Sequence, residues 1–194
     1  MMVANVLFTG VGGQGIITAS AILSQACRIA GWSVKKSEVH GMSQRGGSVD
    51  SHVRFSPDDE IRSPLIPEGA ADVMLAFEPL EGLRQIAQTS PDATVLVEKR
   101  RIVPVTVNLK GFSYPDDVLD RLLASGRKVA LLAASEKAVE LGEVRAANTV
   151  LLGALSTQLE LPEQAWRDAL ELVLKPSALA INVDAFESGR EMMA

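Results

Sequence analysis

The chain has 194 residues, a formal net charge of −5 and one cysteine, Cys27. That length suits one domain with a full core, and the acidic balance argues against a general nucleic-acid partner. A lone thiol excludes a disulfide framework, a thiolate zinc site and an iron–sulfur cluster, which needs about four cysteine ligands.

The N-terminus shows no positive region followed by a long apolar stretch, so no secretory leader is expected. No run reaches the roughly 20 apolar residues of a membrane span. The expected compartment is a reducing cytoplasm.

Residues 3–9 form an apolar run of strand length, as in a central parallel strand covered on both faces. Gly10-Val11-Gly12-Gly13-Gln14-Gly15 follows at once, and Gly10, Gly12 and Gly15 have the spacing of a dinucleotide fingerprint. One glycine permits a tight turn, one lets backbone approach a ligand, and one lets the following helix pack on the strand. The helix N-terminus can hold an anion. The same pattern also serves a turn that binds nothing.

Residues 14–30 read as a helix that is apolar nearly all round, hence covered on more than one side, with Gly31 at its C-terminal cap. A second strand spans 33–39. Glu38, near its end, lies where a dinucleotide site places an acid for the ribose, about 20 positions past the glycines.

The loop His40-Gly41-Met42-Ser43-Gln44-Arg45-Gly46-Gly47 comes next. Its glycines release the backbone, while His40, Ser43, Gln44 and Arg45 present donors. Arg45 can pair bidentately with a carboxylate or phosphate. In a parallel sheet the glycine turn and this loop both lie at the carboxyl edge, where ligands bind. The simpler readings are a His40 that holds its own loop and an Arg45 that is solvated or ion-paired across a subunit interface.

Residues 47–55 alternate cleanly, with Asp50, His52 and Arg54 on one face, as in a half-covered strand near a sheet edge. His52 reads as structural or interfacial. A turn at 57–59 and a short strand at 61–66, broken by Pro64 and Pro67, follow. Strands are expected at 71–77, 93–98, 103–107 and 128–133, and helices at 78–88, 116–125, 135–141, 144–159, 162–174 and 177–193. This alternation predicts a single doubly wound, Rossmann-like α/β domain over 1–194, with a mostly parallel sheet and a half-exposed edge strand.

No nucleophile–base set is visible. Two histidines and a mid-helix Cys27 make no metal site, and Asp116-Asp117 and Asp58-Asp59 read as a helix start and a turn. The expectation is no catalytic residue and no metal ligand in this chain.

Four stretches in order carry a resemblance: Gly10-Val-Gly-Gly-Gln-Gly-Ile16, Ser37-Glu-Val-His-Gly-Met-Ser-Gln-Arg-Gly-Gly-Ser48, Ser63-Pro-Leu-Ile66 and Ala71-Asp-Val73. Together they resemble the gamma-type subunit of the 2-oxoacid:ferredoxin oxidoreductases. The second loop is most similar to the beta-subunit branch for indolepyruvate. The resemblance implies a Rossmann-like unit packed on an alpha-type partner that carries thiamine diphosphate and iron–sulfur clusters. In such complexes a 2-oxoacid is oxidatively decarboxylated, the acyl group passes to coenzyme A and electrons pass to ferredoxin. It places Gly10, Gly12, Gly13, Gln14 and Gly15, with Glu38 to Gly47, at the face towards the partner's active site. There they would close the cofactor pocket or hold a phosphate of coenzyme A.

On this reading the isolated chain is inactive, and the two apolar helices want cover from a partner or from a second copy in a homodimer. Three alternatives stay open: a stand-alone nucleotide-binding enzyme using the glycine turn and Glu38, a gamma subunit for pyruvate, 2-oxoglutarate or 2-oxoisovalerate, and a binding module for an anionic metabolite. The first has little room, because 194 residues leave few for a substrate-binding part once the sheet is built.

Overall fold

The computed structural model describes residues 3–40, 47–103 and 113–194. Gly41 to Gly46 of the second loop, and most of the strand expected at 103–107, therefore lie outside the described residues.

The chain starts with β1 (Ala4–Val11), α1 (Ile16–Ile29), β2 (Ser33–His40) and β3 (Ser48–Ser56). It continues through β4 (Ala71–Ala76), α2 (Pro79–Arg84), β5 (Thr89–Glu98), α3 (Val118–Leu123) and β6 (Lys128–Leu132). The last part is helical: α4 (Ala134–Glu140), α5 (Ala147–Ser156), α6 (Glu163–Val173) and α7 (Pro176–Glu191). Two expected helices are shorter than their apolar pattern. Residues 79–88 break into α2 and a 3-10 turn at Ile86–Gln88, and α5 is preceded by a 3-10 turn at Val144–Ala146.

The six strands lie in the order β2-β3-β1-β4-β5-β6. β1, β4, β5 and β6 pair in parallel, while β3 runs antiparallel to both β1 and β2. The mostly parallel α/β class expected from the alternation is what forms. The half-polar strand differs in place: β3 sits one strand in, and β2 is the edge. The cause is the return of the chain after β2, which inserts β3 between β2 and β1.

The polar face of β3 is accordingly covered by protein. Gln85 Nε2 donates to Asp50 Oδ2 at 2.7 Å, the Ile66 N–H donates to His52 Nδ1 at 3.2 Å, and Arg54 donates to the Ser63 and Leu65 carbonyls at 3.0 and 3.2 Å. Residues 61–66 form no strand; they are an irregular strap tied down by Arg54. Its prolines remove the donors a ladder would use.

One face of the sheet is packed by α1, α4, α5, α6 and α7, and the other by α2 and α3. The apolar helices find most of their cover within the chain, contrary to the expectation that a partner must supply it. α1 is lined by α6, and α5 by α7, so closely that a Cβ on Gly153 would strike the Phe186 carbonyl and one on Gly189 the Val150 carbonyl. Of the large apolar residues of α1, Ile17 and Ile29 remain substantially exposed. Among the described residues no helix is long and apolar enough to cross a membrane.

Candidate functional site

The glycine turn closes the carboxyl end of β1. Gly13 and Gly15 have φ of 106° and 83°, a region that side chains rarely adopt. Gly15 is the N-cap of α1 and supplies no side chain, so no side-chain cap claims the N–H groups of the first turn. Gly10 is required for a different reason. A Cβ there would lie 2.8 Å from both Gln14 Oε1 and the Phe77 Cβ.

Gln14 locks the turn. Its Oε1 accepts the Val11 N–H at 2.7 Å, and its Nε2 donates to the Phe77 carbonyl at 2.6 Å. One side chain therefore joins the end of β1 to the end of β4. Phe77 in turn donates its N–H to the Thr9 carbonyl at 2.8 Å.

A cleft of about 360 Å³ opens beside the turn. Gly13, Gln14 and Gly15 line it together with Glu98, Arg100 and Asn148, the last directly beside Gly15. It lies at the carboxyl ends of β1 and β5 and above the start of α5, where open α/β sheets bind ligands. A shallower groove of about 280 Å³, lined by Gly12, Ile16, Ile17 and Val49, adjoins it at Gly13 and Gly15.

The charges in the cleft have distinct states. Glu98 is buried, and burial pushes its carboxyl above the usual range, opposed by backbone N–H groups of Arg100, Ser135 and Ala134. Oε1 accepts from Arg100 at 2.9 Å and Oε2 from Ser135 at 3.1 Å, so Glu98 caps the start of α4. Arg145 is already paired with Glu143 at 2.9 Å, which holds that carboxyl down at about 2. The Lys99 and Arg100 side chains have no ion-pair partner among the described residues. The cleft thus offers one cationic side chain without an ion pair among the described residues, Arg100, and a helix start with no side-chain cap, beside a hydrogen-bonded Glu98.

The two loops read from the sequence meet. The Gly12 N–H donates to the Gly47 carbonyl at 2.8 Å, so the second loop ends against the first. His40 closes β2 opposite Val49. Gly41, Met42, Ser43, Gln44, Arg45 and Gly46 lie outside the described residues.

Glu38 does not reach the turn. β3 lies between β2 and β1, which puts Glu38 two strand spacings away, roughly 10 Å. It is also paired with Lys36 at 2.7 Å. A ribose-binding acid must neighbour the glycine turn, so the dinucleotide alternative loses its acidic partner. Glu98, Arg100 and Asn148 were not singled out from the sequence. The Glu98-Lys99-Arg100-Arg101 run directly after an apolar strand was the available signal for two of them.

Cys27 is fully buried in α1 and its thiol is pushed up to about 12 by desolvation, so it offers no thiolate to a metal. Among the described residues no group of His, Cys, Asp and Glu is arranged to hold a metal ion.

Fold and site together define a Rossmann-like α/β domain with a glycine turn and a cleft at the carboxyl edge of its sheet. The family profile described as pyruvate ferredoxin/flavodoxin oxidoreductase matches residues 5–192, and the chain belongs to that family. It is 40% identical to the indolepyruvate oxidoreductase subunit IorB of Thermococcus kodakarensis over 95% of this chain and 93% of that one. To the IorB of Archaeoglobus fulgidus it is 38% identical, over 95% and 92%. Among solved structures, the gamma subunit of a keto/oxoacid ferredoxin oxidoreductase from Geobacter sulfurreducens superposes with a TM-score of 0.74 at 22% identity, over 98% of both chains. A 2-oxoglutarate:ferredoxin oxidoreductase from Magnetococcus marinus gives 0.78 at 22% identity, but this chain covers only 31% of that polypeptide. At that identity these two likenesses establish the fold alone.

Proposed function

We propose that the chain is a subunit of an indolepyruvate-type 2-oxoacid:ferredoxin oxidoreductase, acting with a partner that carries thiamine diphosphate and iron–sulfur clusters. The observation that carries this is the gradient of similarity. Identity is 33–40% to four indolepyruvate oxidoreductase subunits, against 26% to a 2-oxoglutarate synthase subunit and 28% to a pyruvate/ketoisovalerate common subunit. That favours an aryl pyruvate over the smaller 2-oxoacids.

The bound cofactors of the partner supply decarboxylation and electron transfer to ferredoxin. This chain's residues bind and position. The first-turn N–H groups after Gly15, with Arg100 in the cleft lining, have the chemistry to hold a phosphate of coenzyme A. The tie from Gly12 to Gly47 keeps the second loop at the same edge, where Arg45 would face the partner or the same phosphate.

Reconstitution tests the reading. The chain co-expressed with its partner should reduce ferredoxin on addition of indolepyruvate and coenzyme A, and the chain alone should turn over nothing. Arg45→Ala should weaken coenzyme A or subunit binding. Decarboxylation by the lone chain, or a complex that prefers pyruvate, would overturn it.

A further inference from the structure

Three oxygen atoms beneath the glycine turn lack a hydrogen-bond partner: Thr9 Oγ1, Asp50 Oδ1 and Glu81 Oε2. They belong to β1, β3 and α2. Thr9 and Asp50 are direct cross-strand partners. Thr9 and Glu81 are fully buried. The other oxygen of each carboxyl is satisfied, Asp50 Oδ2 by Gln85 at 2.7 Å and Glu81 Oε1 by Arg84 at 2.6 Å. Glu81 and Gln85 stand one helical turn apart, so both reach the same stretch of sheet.

Donors and acceptors do not balance if both carboxyls are ionised. Two bare carboxylate oxygens then share one donor, the Thr9 hydroxyl. An unpaired buried carboxylate oxygen is costly, and Arg84, the cation bonded at the seam among the described residues, is already spent on Glu81 Oε1. One added proton supplies the missing donor.

We propose that Asp50 and Glu81 form an acid–carboxylate pair: one proton, carried by Asp50, is directed to Glu81 Oε2 and ties α2 to β3. Burial, the main cause, and the nearby Glu81 charge both raise the Asp50 carboxyl, with Thr9 opposing. The other groups facing the seam do not supply a competing cation. Glu78 of α2's N-cap is itself buried and accepts from Tyr114. His52 of β3 accepts from Ile66 and is held neutral by burial. Arg54 is turned to Asn5, Ser63 and Leu65. Lys35 of β2 lies opposite Arg54, farther along the strand.

The pair is a pH-sensitive latch. Losing the proton leaves two like charges between β3 and α2 and loosens the helix that follows Phe77, whose carbonyl Gln14 grips. The sign follows from a raised folded pKa: the stability is full below the ordinary Asp value, about 4, and is lost as pH rises through the folded value.

The test uses the full chain. Asp50→Asn keeps an acceptor for Gln85 and cannot ionise. Its melting temperature relative to wild type should rise by roughly 3–5 °C per pH unit across the window where Asp50 ionises. Infrared difference spectra recorded against pH should show, above the ordinary Asp value of about 4, a protonated carboxylic acid in wild type that Asp50→Asn lacks. Glu81→Gln, which removes the like charge, should shift the titration of that band to lower pH; it decides the matter if Asp50→Asn fails to fold. A band that is lost by the ordinary Asp value of about 4, or that titrates unchanged in Glu81→Gln, would overturn the proposal.

Discussion

Gly12 donates its N–H to the Gly47 carbonyl at 2.8 Å, and this bond brings together the ends of two loops that the sequence separates by a helix and a strand. It is possible because β3 is antiparallel to both its neighbours, so β1 and β2 point the same way and end at the same edge. The strand register agrees: Val11 lies opposite Ser48, and His40 opposite Val49.

Gln14 is the side chain that holds this edge. Gln14→Ala leaves the Val11 N–H and the Phe77 carbonyl without their partners, at a cost of about 2 kcal/mol or roughly 4–8 °C in Tm. Gln14→Glu should be worse at neutral pH, because a carboxylate can accept from Val11 but only repels the Phe77 carbonyl. Its deficit should shrink on acidification, since a protonated acid can donate to that carbonyl. Thermal unfolding of both variants between pH 5 and pH 8 checks the order; a Glu variant as stable as wild type at neutral pH would contradict it.

Two glycines of the turn separate strain from collision. Both adopt positive φ, so alanine at either should cost about 1–2 kcal/mol through the backbone alone. Nothing lies within 4 Å of a Cβ built on Gly13, whereas one on Gly15 would strike the Asn148 amide. Gly15→Ala should therefore destabilise more than Gly13→Ala. Adding Asn148→Ala should rescue only the Gly15 variant, with a coupling of about 0.5–3 kcal/mol in a double-mutant cycle. Equal losses at both positions would mean that Asn148 simply moves aside.

Much of this was legible in the residues. β1 could be read because it is apolar on both faces, and the turn because its glycines fall at a fixed spacing. The loops' common edge followed from strand direction. The insertion of β3 was not legible, since alternation tells which face a residue occupies but not which strand is its neighbour. That gap made Glu38 look like a ribose ligand. The rest of the cleft lining was hidden for another reason. Glu98, Arg100 and Asn148 come from segments about 50 residues apart, and only the parallel crossover from β5 through β6 to α5 brings them to Gly15. The cover of α5 was missed because a small residue pair, Gly153 and Gly189, carries no hydrophobic signal while letting α5 and α7 approach backbone to backbone.

Glu98 gives the cleft a pH dependence of its own. Its carboxyl is raised by burial, so its contribution to stability is full below the ordinary Glu value of about 4.3 and is lost as pH rises through the folded value. Glu98→Gln loses one acceptor for the Arg100 or Ser135 N–H at every pH, a constant deficit. The difference in Tm between variant and wild type should nevertheless grow more favourable to the variant from pH 4 upwards. Chemical or thermal denaturation across that range measures the slope, and a constant difference would show that Glu98 does not titrate there.

Arg100 and Arg145 border the same cleft but should not contribute equally to holding an anion. Arg145 is neutralised by Glu143, with its guanidinium making bonds of 3.0 and 2.9 Å to the two carboxylate oxygens. A phosphate would have to compete with that pair. Arg100 has no such commitment, and its backbone is fixed by Glu98. In the reconstituted complex, Arg100→Ala should raise the KM for coenzyme A roughly tenfold or more, since a charge-assisted bond is worth about 1.5–3 kcal/mol. kcat at saturation should change little, because under the proposed function the chemistry lies on the partner. Arg145→Ala should have a smaller effect, and Glu143→Ala, which frees Arg145, should lower the KM. All three effects should weaken with added salt. An Arg100 variant with an unaltered KM, or a Glu143 variant that binds coenzyme A more weakly, would move the phosphate out of this cleft and leave the glycine turn with a purely structural task.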